Sequence, residues 1–136
     1  MLSDTTVFGS FAVRDTENAK SWYRDTLGLD VRDGQMPGII EIGTGGSSIT
    51  VYSKPDHEPA TFTVLNILVS DIRSTVADLG RSGVAFEHYD TGDLKTDEDG
   101  VMRGEGPSIA WFKDPDGNIL SVIENPNGSG GSGSLA

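Results

Sequence analysis

One pattern occurs twice in this chain and constrains its fold more than any other feature. An apolar, alternating run leads into an Asp, and a helical stripe follows. The first copy covers residues 7–13 with Asp15, and the second covers 62–69 with Asp71, 56 residues further on. Alternation over a few positions predicts strands with one buried face. An Asp at each junction can accept hydrogen bonds from the free N–H groups of the first helical turn, so Asp15 and Asp71 are predicted N-caps. After Asp15, the residues Ala19, Trp22, Tyr23, Thr26 and Leu27 form a core-facing stripe that Gly28 ends. After Asp71, Ile72, Val76 and Leu79 do the same, with a stop at Gly83. Short strand candidates follow each helix: 30–32, 38–42 and 48–53 in the first half, 85–89, 108–112 and 119–124 in the second. The order is βαβββ twice, an α+β fold. Strands this short, broken by Gly and Pro, argue against a parallel α/β winding, in which helices alternate with every strand.

The 136 residues suit one domain. The expected folded region is 1–126, built of modules at about 5–55 and 60–125. Residues 127–136 are a Gly/Ser linker outside the fold. The chain has no cysteine, which excludes disulfides and thiolate metal sites. Neither a basic, apolar leader nor a run of about 20 apolar residues is present, so a cytoplasmic protein without membrane association is expected. The net charge of −11 repels phosphate backbones and argues against nucleic-acid binding. It would attract a cationic ligand, and it also serves solubility.

The halves differ by an insertion at 90–107. It holds six acids (Asp90, Asp93, Asp97, Glu98, Asp99, Glu105) against Lys95 and Arg103, with Gly100, Gly104 and Gly106 as possible hinges. Loops of this length are either lids over a ligand or solvated segments, and both readings stand.

At residues 111–118, Trp-Phe-Lys-Asp-Pro-Asp-Gly-Asn, an apolar strand meets a D-P-D-G-N turn and a second apolar strand. Pro115 presets φ, and Gly117 and Asn118 tolerate positive φ. This hairpin, beyond a second strand–Asp–helix unit, resembles the last hairpin of the vicinal oxygen chelate superfamily, which includes glyoxalases, bleomycin-resistance proteins and dioxygenases. The opening unit at 11–28 and the words at 96–100 and 110–118 are similar to its glyoxalase-like bacterial branch. The resemblance covers nearly all of residues 5–125. It implies two βαβββ modules forming a curved mixed sheet around a cleft, and commonly a homodimer.

Metal-dependent members of that superfamily place a His, Gln or Glu on each of four strands. Counted from shared landmarks, the equivalent positions here are Phe8, Thr50, Val64 and Ser121. None is an imidazole, carboxylate or thiolate donor, so no metal and no cofactor is expected. A one-residue slip would turn the wrong side chains inward, but the neighbours Gly9, Ile49, Val51, Leu65, Leu120 and Val122 are no better. The resemblance then points away from the superfamily's metal-assisted chemistry.

The expected ligand-binding residues are Phe8, Thr50, Tyr52, Val64, Asn66, Trp111 and Ser121, an apolar and aromatic surface with a few neutral polar groups. Either Trp111 or Phe112 faces the helices, because strand neighbours point oppositely. His57, flanked by acids, reads as a solvated loop residue. His88 is the one candidate general base, with flap carboxylates as the alternative. Three functions remain open: metal-independent sequestration of an aromatic or cationic small molecule, a metal-independent lyase or isomerase, and a structural or regulatory module with a filled cleft.

Overall fold

The computed structural model describes residues 1–43, 47–104 and 106–125. The chain packs as two compact units, Met1–His57 and Glu58–Ala136. No helix among the described residues is long and apolar enough to cross a membrane.

The first unit runs β1 (Ser10–Val13), α1 (Thr16–Ser21), a π-helical turn (Trp22–Thr26), β2 (Val31–Asp33), β3 (Ile39–Ile42) and β4 (Ile49–Ser53). Asp15 caps α1, its carboxylate accepting the Glu17 N–H at 2.9 Å. The helix widens at its end, where the Leu27 N–H reaches back five residues to the Trp22 carbonyl at 3.3 Å. Tyr23 is thereby fully buried, against Phe11 at 6.1 Å between ring centres. The sheet order is β1-β4-β3-β2, with β1 parallel to β4 and the other pairs antiparallel. Phe11, Val13, Ile40, Ile42 and Val51 form its buried face with Ala19 and Tyr23. Burying each of the large aliphatic side chains contributes about 1.5–3 kcal/mol. The Thr16 N–H donates to Ser53 Oγ at 3.1 Å, which ties the start of α1 to the end of β4.

The second unit runs β5 (Thr63–Val69), α2 (Ile72–Arg81), β6 (Asp90–Thr91), β7 (Leu94–Lys95), β8 (Val101–Met102), β9 (Ile109–Lys113) and β10 (Ile119–Glu124). Asp71 caps α2 through the Ser74 N–H, and the Glu124 carboxylate accepts the Ile72 N–H at 3.0 Å. The main sheet order is β5-β10-β9-β8, with β5 parallel to β10. Leu120, Val122, Phe112, Ala110 and Val101 fill the face against which α2 packs.

Several sequence expectations need correcting. The first strand starts at Ser10 rather than residue 7, and only Thr50 N–H to Gly9 C=O extends its ladder. Residues 85–89 do not form a strand. They touch β9 through a Phe86–Phe112 bridge and a Glu87 N–H to Trp111 C=O bond. The edge position goes instead to β8, from the insertion. The described part of this insertion contains three short strands, β6, β7 and β8. Residues 90–95 make the β6–β7 hairpin. The Asp97 carboxylate gathers the N–H groups of Asp99 and Val101, at 2.9 and 3.0 Å, and so bends the chain back to β9. Gly100 permits the bend at φ +86°, where a Cβ would stand 2.9 Å from Phe86.

In the last hairpin only Gly117 takes positive φ, and Asn118 does not. Asn118 is there for its hydrogen bonds: its N–H and Nδ2 both donate to the buried Asp114 carboxylate, each at 2.9 Å. His57 is buried rather than solvated. Its N–H donates to Lys54 C=O, and Arg14 donates to its carbonyl, so the turn is folded in.

Candidate functional site

Alternation gives each sheet a second face, opposite its helix. In the first unit Ser10, Thr50, Glu41 and Arg32 stand in one row across that face, because they are ladder partners in turn. Ala12, Tyr52 and Ile39 make the next row. Phe8, 66 % exposed, lies before β1 and joins Glu41, Ser48 and Thr50 around a depression of about 340 Å³. Tyr52 is 40 % exposed and does not line it. Glu41 was missed from the sequence, although the buried Ile40 and Ile42 imply that it points the other way.

In the second unit the corresponding row is Asn66, Ser121 and Trp111. Ser121 is fully buried and its hydroxyl donates to Asn66 Oδ1 at 2.6 Å. With Oδ1 so engaged, the Asn66 amide N–H groups are left to point elsewhere from an exposed residue. Phe112 faces the core, pairing with Leu120 and stacking edge-on against Phe86 at 5.4 Å. Trp111 therefore takes the opposite face, where Tyr89 meets it edge-on at 5.6 Å. Burial raises the Tyr89 phenol above its ordinary pKa, and the nearby Glu87 charge adds to this. Tyr89 also went unnoticed in the sequence.

Val64 is not brought into the row. The β5–β10 register passes from Thr63 opposite Ile119 to Leu65 opposite Leu120, so a bulge skips Val64. His88 is also elsewhere. It is exposed, and its Nε2 lies 3.0 Å from the Glu98 carbonyl. A carbonyl only accepts, so Nε2 carries the proton. Among the acids of the insertion, Asp90, Asp97 and Asp99 have side-chain partners. Val101 N–H is the main influence holding the Asp97 carboxyl below the usual carboxylate range, followed by the Asp99 N–H and Arg103 among the lowering influences, with partial burial opposing. Asp99 lies 3.9 Å from Arg73 on α2.

The four positions at which the resemblance expects metal ligands present a phenyl ring, two hydroxyls and an isopropyl group. This donor set does not fit a divalent metal. Among the described residues no three His, Cys, Asp or Glu side chains converge as a metal site.

The model of the Glyoxalase/Bleomycin resistance protein/Dioxygenase superfamily matches residues 5–122, and the chain belongs to this superfamily. Its structural neighbours carry the same fold. TnmS3, an antibiotic-binding protein from Streptomyces sp. CB03234, is 22 % identical with a TM-score of 0.63, over 89 % of this chain and 97 % of that one. A superfamily member from Sphaerobacter thermophilus is 23 % identical with a TM-score of 0.62, over 89 % and 98 %. A lactoylglutathione lyase from Agrobacterium tumefaciens is 15 % identical with a TM-score of 0.64, over 92 % and 96 %. No curated protein matches the chain.

Proposed function

We propose that this chain is a metal-independent small-molecule-binding protein of the glyoxalase/bleomycin-resistance type that sequesters an aromatic or cationic compound. The observation that carries this reading is the Asn66–Ser121–Trp111 row. An indole ring meets a phenol edge-on, and across Ser121 in the same row stands an amide oriented by the Ser121 hydroxyl. Apolar surface with a few oriented polar groups is the usual make-up of a small-molecule site. The antibiotic-binding neighbour supports the same reading at the level of the fold. A lyase or isomerase would need a base on this face. The His88 ring instead meets the Glu98 backbone, so nothing favours that alternative.

Thermal-shift screening with planar aromatic compounds, neutral and cationic, tests the proposal. A ligand that binds only the native state raises the melting temperature by mass action. A hit should quench tryptophan fluorescence, and Trp111→Ala should weaken it about tenfold or more, the scale of a lost aromatic anchor. If no compound class shifts the melting temperature, the reading fails. We further propose a homodimer, to which the exposed Leu2 and Phe62 would contribute apolar surface. Sedimentation at micromolar concentration should then give twice the monomer mass.

A further inference from the structure

The depression in the first unit is lined by one carboxylate. Glu41 lies at its wall with a side chain only 36 % exposed. Its one ion-pair partner among the described residues is Arg32, at 4.0 Å, too long for a hydrogen bond. The Arg32 side chain is itself 57 % exposed, so water competes for it. No described group donates a hydrogen bond to the Glu41 carboxylate. A carboxylate has about four lone-pair positions to fill, and a half-buried one gains from any donor that reaches it.

The surroundings define what would fill them. Phe8 presents a largely exposed ring on the same depression, and Thr50 and Ser48 bring hydroxyls to its wall. A ring beside a carboxylate suits an organic ammonium, which is attracted by the ring face and by the negative charge together. The volume of about 340 Å³ lies at the small end of ligand pockets, enough for one or two fused rings with a short arm. The net charge of −11 favours the approach of a cation and disfavours an anion.

We infer that Glu41 is the charge-reading residue of a binding site for a small aromatic amine in its protonated form, with Phe8 as ring platform and Arg32 as internal competitor. This inference rests on the small-molecule reading above and adds to it a second site, in the first unit, and the charge that site selects. Arg32 gives it an unusual signature. If Arg32 competes with the ligand for Glu41, removing Arg32 strengthens binding, whereas a residue needed only for folding would weaken it.

The test uses tryptamine, protonated at neutral pH, and N-acetyltryptamine, which keeps the ring and loses the charge. Each is titrated into ¹⁵N-labelled protein, and dissociation constants are read from amide shifts. Tryptamine should move the amides of Phe8, Glu41, Ser48 and Thr50 and bind about fivefold tighter than the acetylated compound, the scale of a partly exposed ion pair. Glu41→Gln should erase that preference, and Arg32→Gln should tighten tryptamine about two- to threefold. Well-dispersed spectra of both variants identify any that has failed to fold. In that event, screening of the amine by tenfold higher salt in the native protein replaces the variant.

Equal binding of the two compounds overturns the inference, as does a preference that survives Glu41→Gln. In either case aromatic compounds that still shift the Asn66, Trp111 and Ser121 amides leave the small-molecule reading standing. If no compound in this set or in the thermal-shift panel binds anywhere, both fall.

Discussion

In the first unit, β1 and β4 run parallel, with β3 and β2 added antiparallel; in the second, β5 and β10 run parallel, with β9 and β8 added antiparallel. Each unit opens its helix with an Asp cap and buries one face of its sheet under that helix. The wiring is thus the same. The faces turned away from the helices are not. The first unit carries a charge pair, Glu41 and Arg32, in a row with hydroxyls. The second carries a neutral hydrogen-bonded pair, Ser121 and Asn66, in a row with an indole. Backbone topology sets which positions share a row, and side-chain chemistry alone decides what that row can recognise.

The matched cores give the largest test of this comparison. Phe112 lies on an inner strand and is fully buried, whereas Phe11 lies on the edge strand β1 and keeps slight exposure. Phe112→Ala should cost about 4 kcal/mol and Phe11→Ala about 3 kcal/mol in urea unfolding. The reverse order would break the view that the second sheet holds the deeper aromatic anchor.

The hairpin turns give the next test. Asp114 accepts from the N–H groups of Asp116 and Asn118 and from Asn118 Nδ2. The segment joining β3 to β4 reads Gly-Thr-Gly-Gly-Ser-Ser and has no such acid. Asp114→Ala strands buried donors and should cost about 2–3 kcal/mol. A loss below about 0.5 kcal/mol would show that water replaces the carboxylate freely.

Asp97 sharpens the contrast at the insertion, which the first unit lacks. Its folded pKa is depressed, so its stabilising contribution is present above the unfolded value of about 3.9 and is lost as pH falls through the lower folded value. Asp97→Asn should therefore be less stable than the parent at pH 7, by under about 1 kcal/mol for so exposed a group. The gap should close in acid. A gap that is constant from pH 7 to pH 2 would assign the effect to shape rather than charge. A comparably small effect is expected from Ser121→Ala, which frees the Asn66 amide to rotate. It should weaken a compound bound at Trp111 by about 1 kcal/mol in calorimetry and leave a compound bound at Phe8 unchanged.

Much of the architecture was legible because it rests on local chemistry. The caps at Asp15 and Asp71, the stops at Gly28 and Gly83, and the alternation of β4 and β10 are each settled within a few residues. What was not legible depends on distant partners. Asn118 looked like a residue chosen for its φ, and only its placement beside Asp114 shows that it is held by hydrogen bonds. Residues 85–89 have the pattern of a strand, but Asp97 and Gly100 deliver 101–102 to the same sheet edge. On the sheet faces turned away from the helices, alternation groups Thr50 with Tyr52 and Asn66 with Ser121. It could not foresee the bulge that drops Val64 from the row. Nor did it flag Glu41, whose ladder partners are Arg32 and Thr50, or Tyr89, which packs on Trp111 from outside any strand.

The strand order of the second unit bears on how the protein is made. β10 is the last strand of that unit to be synthesised, yet it lies in the interior of the sheet, between β5 and β9. Until it arrives, β5 has no ladder partner, and seven residues with the sequence Thr-Val-Leu-Asn-Ile-Leu-Val offer a bare edge. The first unit closes when β4 emerges, some 70 residues earlier on the ribosome. A nascent chain stalled just short of Ile119 would thus carry one finished half and one sticky strand, the species most prone to misassociate during expression.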